Sequence, residues 1–158
     1  MTTIKGQATA VVEAPADSVF TKLTDLTALP SWNEAMTRVC EVPDQLAPGA
    51  EWVVEFHVLG RTWRSRSRCE SIDSVARRFT HRTGTDDGNQ SYAEWEWAVE
   101  PAGSGSRVTA TWTLHPVTFW RRVLLARVRA RQLGQREVPA SLAALGRVTN
   151  RGAVGTTP

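Results

Sequence analysis

Hydrophobic and polar residues alternate along several stretches of the chain, with the period of two that places successive strand side chains on opposite faces. The clearest stretch is SYAEWEWAVE at residues 91–100, where Trp95 and Trp97 share one face and Glu94 and Glu96 share the other. Alternation, or a high content of β-branched and aromatic residues, predicts further strands at 3–12, 36–43, 50–58, 61–73, 77–84 and 107–115.

Two short helices are predicted between the first and second strands. Pro15 suits the start of a helix, and Val19 and Leu23 follow at helical spacing. A second short helix is expected at about residues 25–30, ending at Pro30. The chain therefore leaves the first strand through a compact helical connection before the remaining strands begin.

A helical pattern returns at residues 117–148. Pro139 lacks the backbone N–H that a helix interior requires, so a long first segment and a shorter second one at about 140–148 are expected. The closing stretch TNRGAVGTTP is expected to be a loose tail. These expectations divide the chain into one domain at 1–148 and a flexible tail at 149–158.

The pairing of two hairpins can be predicted from the residues that would face each other. If Leu59 and Gly60 form a two-residue turn, apolar and charged residues fall opposite suitable partners on both faces. Pairing Val99 with Val108 has the same effect in the second hairpin. The predicted partners are Phe56 with Trp63, Glu55 with Arg64, Glu51 with Arg68, Trp97 with Ala110, Trp95 with Trp112 and Glu100 with Arg107. Arg64, Arg66 and Arg68 are then expected in ion pairs on the outer face.

Composition and charge are those of a soluble globular protein of one domain: 158 residues, 41% hydrophobic and 22% charged, with a net charge of +3. The charge is uneven, because residues 118–151 hold eight arginines and one acid, which gives +7 there and −4 elsewhere. Such asymmetry is typical either of a surface for nucleic acid or membrane or of the solvated side of an amphipathic helix. We favour the helix.

Several classes of protein and site find no support in the sequence. No apolar run approaches the roughly 20 residues that span a bilayer, and the N-terminus lacks the pattern of a signal peptide, so a cytoplasmic protein is expected. Cys40 and Cys69 are expected to be buried free thiols. No catalytic triad, metal-ligand spacing or glycine-rich phosphate loop occurs, so neither a metal nor a cofactor is expected.

Two motifs resemble the helix-grip (SRPBCC) superfamily: VEAPADSVFTKLTDLTALPSWNEAM after the first strand and EVPASLAALGRV near the end. The superfamily includes START-type lipid-transfer domains, the birch-pollen-allergen (Bet v 1-like) proteins and bacterial polyketide cyclase/dehydrase-like proteins, and the resemblance spans roughly residues 3–148. It implies an α+β fold, in which a curved antiparallel sheet wraps around a long C-terminal helix, with two short helices after strand 1.

The resemblance also implies an elongated cavity between the sheet and the C-terminal helix. Alternate strand residues would line it, and the tryptophans either fill a solid core or form an aromatic-walled pocket, of which we favour the pocket. The residues expected to contact a ligand are Trp32 and Asn33 near the mouth, Trp120 from the helix, and Trp52, Phe56, Trp63, Ser65, Ser67, Phe79, Trp95, Trp97 and Trp112 from the strands.

His81 is the expected inner-face group with a pKa suited to proton transfer near neutral pH. Its neighbours on that face would be Ser65, Ser67, Thr83 and Cys69. His57 and His115 are expected at the surface. The arginine and tyrosine that aromatic-polyketide cyclases place in the pocket are not matched, because Arg64, Arg66, Arg68 and Tyr92 fall on the outer face.

Three functions are compatible with this pattern. The first is a carrier or sensor that binds a hydrophobic, aromatic or polycyclic small molecule. The second is a cyclase or dehydratase with His81 as acid and base and Ser65, Ser67 or Asn33 polarising a carbonyl. The third is a lipid-binding or membrane-surface protein that uses the basic C-terminal helix. No nucleic-acid partner is expected, since the arginines lack interleaved aromatic residues, and the protein is expected to be a monomer or homodimer.

Overall fold

A computed structural model describes residues 3–85, 91–116 and 138–154. Seven strands and three α-helices lie in these ranges, with a short 3-10 turn at Leu26–Ala28 before the second helix. The helices are α1 (Ala16–Thr24), α2 (Leu29–Trp32) and α3 (Val138–Val154), and the strands are β1 (Ile4–Val12), β2 (Met36–Glu41), β3 (Glu51–Val58), β4 (Arg61–Asp73), β5 (Arg78–Thr85), β6 (Tyr92–Ala102) and β7 (Gly105–His115).

The strands form one antiparallel sheet in the order β1-β7-β6-β5-β4-β3-β2. Consecutive strands from β2 to β7 pair as a meander, and β1 returns to the edge beside β7. The three helices pack on one face of the sheet, where Leu142 and Leu145 of α3 join the core residues of α1 and the strands. We call this the inner face and the opposite one the outer face. The architecture agrees with the α+β expectation of an antiparallel sheet with a C-terminal helix.

The predicted hairpin registers are confirmed at every residue pair. Phe56 faces Trp63 and Glu55 faces Arg64, while Trp95 faces Trp112 in the second hairpin. Leu59 and Gly60 form the tight turn with φ of 52° and 75°, the left-handed conformation that a two-residue hairpin loop requires. The remaining predicted pairs, Glu51 with Arg68, Trp97 with Ala110, Val99 with Val108 and Glu100 with Arg107, are also in register.

Ion pairs lie on the outer face as expected, but the described residues pair differently from the prediction: Glu55 and Arg64, and Glu51 and Arg68, face each other in register without forming the predicted ion pairs. The carboxylate of Glu55 lies 3.2 Å from Arg38 on β2 and 3.1 Å from the Thr37 hydroxyl. The Thr37 hydrogen bond and the Arg38 charge lower the pKa of Glu55. Arg66 pairs with Glu41 at 3.3 Å. The arginines of β4 thus lie on the outer face, as the alternation predicted.

Three local expectations need correction. Pro30 does not end the second helix but lies in the first turn of α2, where its missing N–H leaves no bond unmade. Cys40 is a free thiol, yet it is only half-buried, whereas Cys69 is buried as expected. The C-terminal helix continues to Val154, so the domain boundary that we predicted at residue 148 falls inside it.

The long helical segment predicted before Pro139 lies outside the described residues. Pro139 itself is the second residue of α3, a position that tolerates its fixed φ and missing N–H. None of the helices that the structure describes is long and apolar enough to cross a bilayer.

Gly6 on β1 makes room for the side chain of Trp112, its cross-strand partner. A Cβ atom at residue 6 would lie 2.3 to 2.5 Å from three ring atoms of Trp112, which is far inside contact distance. Trp112 is 1% exposed and its ring is held between β1 and Trp95, so it cannot retreat without repacking the core.

We expect Gly6→Ala to destabilise the protein by about 1–3 kcal/mol, the usual cost of overpacking a core. Gly84→Ala is the matched control, because a Cβ there meets only the Ser91 carbonyl at an ordinary 3.5 Å. Urea unfolding of both variants measures the difference. Equal free energies of unfolding for the two variants would contradict the close approach of Trp112 to Gly6.

Candidate ligand-binding site

Aromatic side chains from five neighbouring strands, β3 to β7, and from α2 meet on the inner face. Trp95 stacks on Trp97 with ring centroids 5.7 Å apart, and its ring contacts that of Trp112 at 5.6 Å with a tilt of 38°. The edge of Trp32 on α2 contacts Trp97 at 5.9 Å with an interplanar angle of 82°. Offset-stacked and edge-to-face contacts at these distances are the favourable arrangements for aromatic pairs.

The aromatic array continues across β5 to β3. Trp52 stacks on Phe79 at 5.9 Å and contacts His81 at 5.3 Å, and Phe56 stacks on Trp63 at 5.5 Å. His81 bridges the two halves, since its ring also stacks on Trp95 at 6.3 Å. The register explains this continuity, because Trp95 faces His81 and Phe56 faces Trp63 across paired strands.

Most of these rings are buried, but Trp63, Trp95 and His81 keep some accessible surface. Trp52 and Trp112 are 3% and 1% exposed, whereas Trp63 and Trp95 are half-buried. Trp95 contacts the buried rings of Trp97 and Trp112, so an accessible aromatic residue adjoins the buried part of the array. A flat apolar molecule would find its contact area there.

His81 is held in one neutral tautomer. The indole N–H of Trp97 donates to Nε2 of His81 at 3.1 Å, so the imidazole proton lies on Nδ1. Nδ1 lies 3.1 Å from the Thr83 hydroxyl, so the Nδ1–H group donates a hydrogen bond to the Thr83 oxygen. The surrounding aromatic rings withhold the hydration that an imidazolium needs, and this burial lowers the pKa of His81 from 6.5 to about 3.

Hydroxyl groups of β4 and β5 adjoin the imidazole. Ser67 and Thr83 face each other across the two strands, with their oxygens 2.7 Å apart. Ser65, two residues before Ser67, is 4% exposed and lies on the same face. Away from the hairpin ends, the inner-face positions of the seven strands hold no Asp, Glu, Lys or Arg. The described part of the site is therefore apolar, with one uncharged polar strip.

Two indole N–H groups are buried with no hydrogen-bond partner among the described residues. They belong to Trp32 and Trp112. A buried donor left unpaired costs about 1–3 kcal/mol of folding free energy. Concentrating tryptophan on one face therefore destabilises the fold at these two groups. In the ranges 3–85, 91–116 and 138–154, no cluster of His, Cys, Asp or Glu could hold a metal ion.

The structure brings together most, but not all, of the residues predicted for the site. Trp32 is 3% exposed against Trp97 and belongs to the buried array rather than to a mouth. Asn33 uses its side-chain oxygen to accept the backbone N–H of Ala35, which caps the turn before β2. Trp120 lies outside the described residues.

Two further outcomes concern Thr83, which was expected on the inner face but not as a ligand contact, and the two histidines expected at the surface. Thr83 lies on the inner face and contacts both His81 and Ser67, although we did not include it among the ligand-binding residues. The signal was present, since alternation from Phe79 and His81 leads to residue 83. His115 is half-buried and bonds Glu94 on the outer face at 2.7 Å, and His57 is exposed.

The lowered pKa of His81 makes stability depend on pH. An unfolded chain binds a proton at this residue near pH 6.5, whereas the folded protein does so only near pH 3. The free energy of unfolding therefore decreases as the pH falls from about 6.5 towards 3. Between pH 7 and 5 we expect wild type to lose about 2 kcal/mol more than His81→Gln, which has no titrating ring. Urea unfolding at the two pH values measures this difference, and equal losses would mean that the imidazole is not desolvated.

Comparisons with known proteins agree with this fold. The structure is similar to a Zhui aromatase/cyclase from Streptomyces sp. R1128, with a TM-score of 0.73, 19% identity and 95% of each chain covered. It is equally similar to the protein TTHA0849 from Thermus thermophilus, with a TM-score of 0.73, 21% identity, and 94% of this chain and 99% of that one covered.

A third structure, the di-domain ARO/CYC StfQ from the steffimycin biosynthetic pathway, gives a TM-score of 0.75 at 13% identity. The match covers 96% of this chain and 52% of that one. No match was found among curated proteins. The family model described as polyketide cyclase/dehydrase and lipid transport matches residues 3–149. The chain therefore belongs to this family, within the helix-grip superfamily that the sequence motifs indicated.

Proposed function

We propose that the protein binds a hydrophobic small molecule, aromatic or polycyclic, on the inner aromatic face, as a carrier or sensor. The observation that supports this most directly is that Trp95, which stacks on Trp97 and contacts Trp112, is only half-buried. A ring that keeps accessible surface among buried rings is a platform on which another flat ring can stack.

The chemistry of the face supports binding rather than reaction. Away from the hairpin ends, the inner-face strand positions are apolar or uncharged, so an apolar ligand displaces water there without leaving a charge unsolvated. The polar groups present are hydroxyls and a neutral imidazole, which orient a ligand by hydrogen bonds. The free energy of binding would come mainly from burial of aromatic surface.

A cyclase or dehydratase is the second candidate, favoured by the description of the family and by the aromatase/cyclase among the similar structures. His81 is poorly suited to be its acid and base, because both ring nitrogens are bonded and its pKa is about 3. An enzyme on this scaffold would instead position a reactive ligand by shape and hydrogen bonds. If His81→Gln still turned over a ketide substrate, this would support an enzyme that acts by positioning its ligand rather than by proton transfer through His81.

We expect Trp95→Leu to weaken the binding of a polycyclic hydrocarbon such as fluorene about tenfold, through the loss of aromatic stacking. Tyr92→Leu is the matched control, since Tyr92 is an aromatic residue of the same strand that stacks on His115 on the outer face. Quenching of tryptophan fluorescence measures both affinities.

Failure of fluorene and of other polycyclic probes to bind the wild-type protein would overturn the proposed function. Equal weakening by the two variants would place the ligand somewhere other than the inner face.

A further inference from the structure

Trp97, His81, Thr83 and Ser67 form one chain of hydrogen bonds across β6, β5 and β4. Three bonds connect the four side chains: Trp97 to His81, His81 to Thr83, and Thr83 with Ser67. The four groups carry four donor hydrogens, one on each side chain when His81 is neutral. One donor hydrogen is therefore left over.

Burial decides which residue holds the remaining hydrogen. Ser67 is 3% exposed, and Thr83 is its hydrogen-bond partner among the described residues. An unpaired hydroxyl hydrogen at such a buried position costs about 1–3 kcal/mol, so the Ser67 hydroxyl donates to Thr83. The Thr83 oxygen then accepts two bonds, from His81 and from Ser67, and both of its lone pairs are used.

The Thr83 hydroxyl is left with one hydrogen to donate and no further capacity to accept. Thr83 is half-buried, so part of the residue remains accessible. The Trp97–His81 bond fixes the imidazole tautomer, so Thr83 accepts from His81. Because Thr83 also accepts from Ser67, its own hydrogen is directed to neither neighbour. Successive bonds in the same direction polarise one another and strengthen the last donor.

We propose that Thr83 is a specificity-determining residue that donates a hydrogen bond to a neutral acceptor oxygen, such as a ketone, on an aromatic ligand. This inference rests on the proposed function, because it names the chemistry of a molecule already bound on the inner face. A hydrocarbon of the same shape leaves the Thr83 hydrogen without a partner, whereas a carbonyl oxygen completes the chain of bonds.

Fluorene and fluorenone are matched probes, since they differ at one ring position, which is CH₂ in the first and C=O in the second. We expect wild type to bind fluorenone about three- to tenfold more tightly than fluorene, as one additional hydrogen bond would give. Thr83→Val should bring the two affinities together without weakening fluorene binding, and Thr83→Ser should retain the preference.

Thr80→Val is the matched control. Thr80 lies on the same strand and bonds Ser71 through an equivalent Ser–Thr pair, but this pair is on the outer face. The variant should leave the fluorenone preference unchanged. Circular dichroism of each variant verifies that the sheet is intact.

An infrared measurement on wild type tests the inference without any substitution. The carbonyl stretch of bound fluorenone should move to lower frequency than in cyclohexane, and Thr83→Val should return it towards the cyclohexane value. Equal binding of fluorene and fluorenone, or an unshifted carbonyl stretch, would overturn the role of Thr83 while leaving the proposed function standing. Binding of neither probe would overturn both.

Discussion

The hydrogen bond from the indole N–H of Trp97 to Nε2 of His81 sets the character of the whole inner face. It occupies the imidazole lone pair that a proton would otherwise take, and the rings of Trp52, Phe79 and Trp95 surround the rest of the residue. A group with the usual pKa for acid–base work near neutral pH thereby becomes a fixed neutral connector. It also gives one buried indole N–H the partner that the N–H groups of Trp32 and Trp112 lack among the described residues.

The sheet separates charge from aromatic surface by alternation alone. Arg78 and Arg82 of β5 pair with glutamates of the neighbouring strands on the outer face, whereas Phe79 and His81, the residues next to them in sequence, lie in the aromatic array. These exposed ion pairs contribute little stability each, about 0–1 kcal/mol. Their more important effect is on register, because a slip of one residue would bring charges onto the apolar face.

Much of this arrangement could be predicted from the sequence, because it depends on local pattern. The Leu59-Gly60 turn and the pairing of charges fixed the β3–β4 register, and the alternation of Trp95 and Trp97 fixed their face. The effect of Pro30 could not be predicted, because a proline ends a helix or begins one according to its position in the turn. The residues around Pro30 do not show that it lies in the first turn of α2.

The properties of His81 and Thr83 could not be predicted in the same way. The sequence places a histidine on the inner face, but its protonation depends on an indole of β6 and on rings of β3, β6 and its own strand. Thr83 obtains its hydrogen-bonding direction from residues on both sides of it. Such properties come from cross-strand contacts between side chains, whereas alternation predicts only the face of the sheet on which each residue lies.

The same contacts explain why family membership leaves open the choice between binding and catalysis. A catalyst benefits from dipoles that are oriented before the ligand arrives, and a binding protein benefits from the same pre-organisation. The relay from Trp97 through His81 supplies one oriented donor, Thr83, but no group that exchanges a proton readily at neutral pH. On the described part of this face, a ligand carbonyl can therefore be held and polarised, while any proton that the ligand loses or gains must move to or from another source.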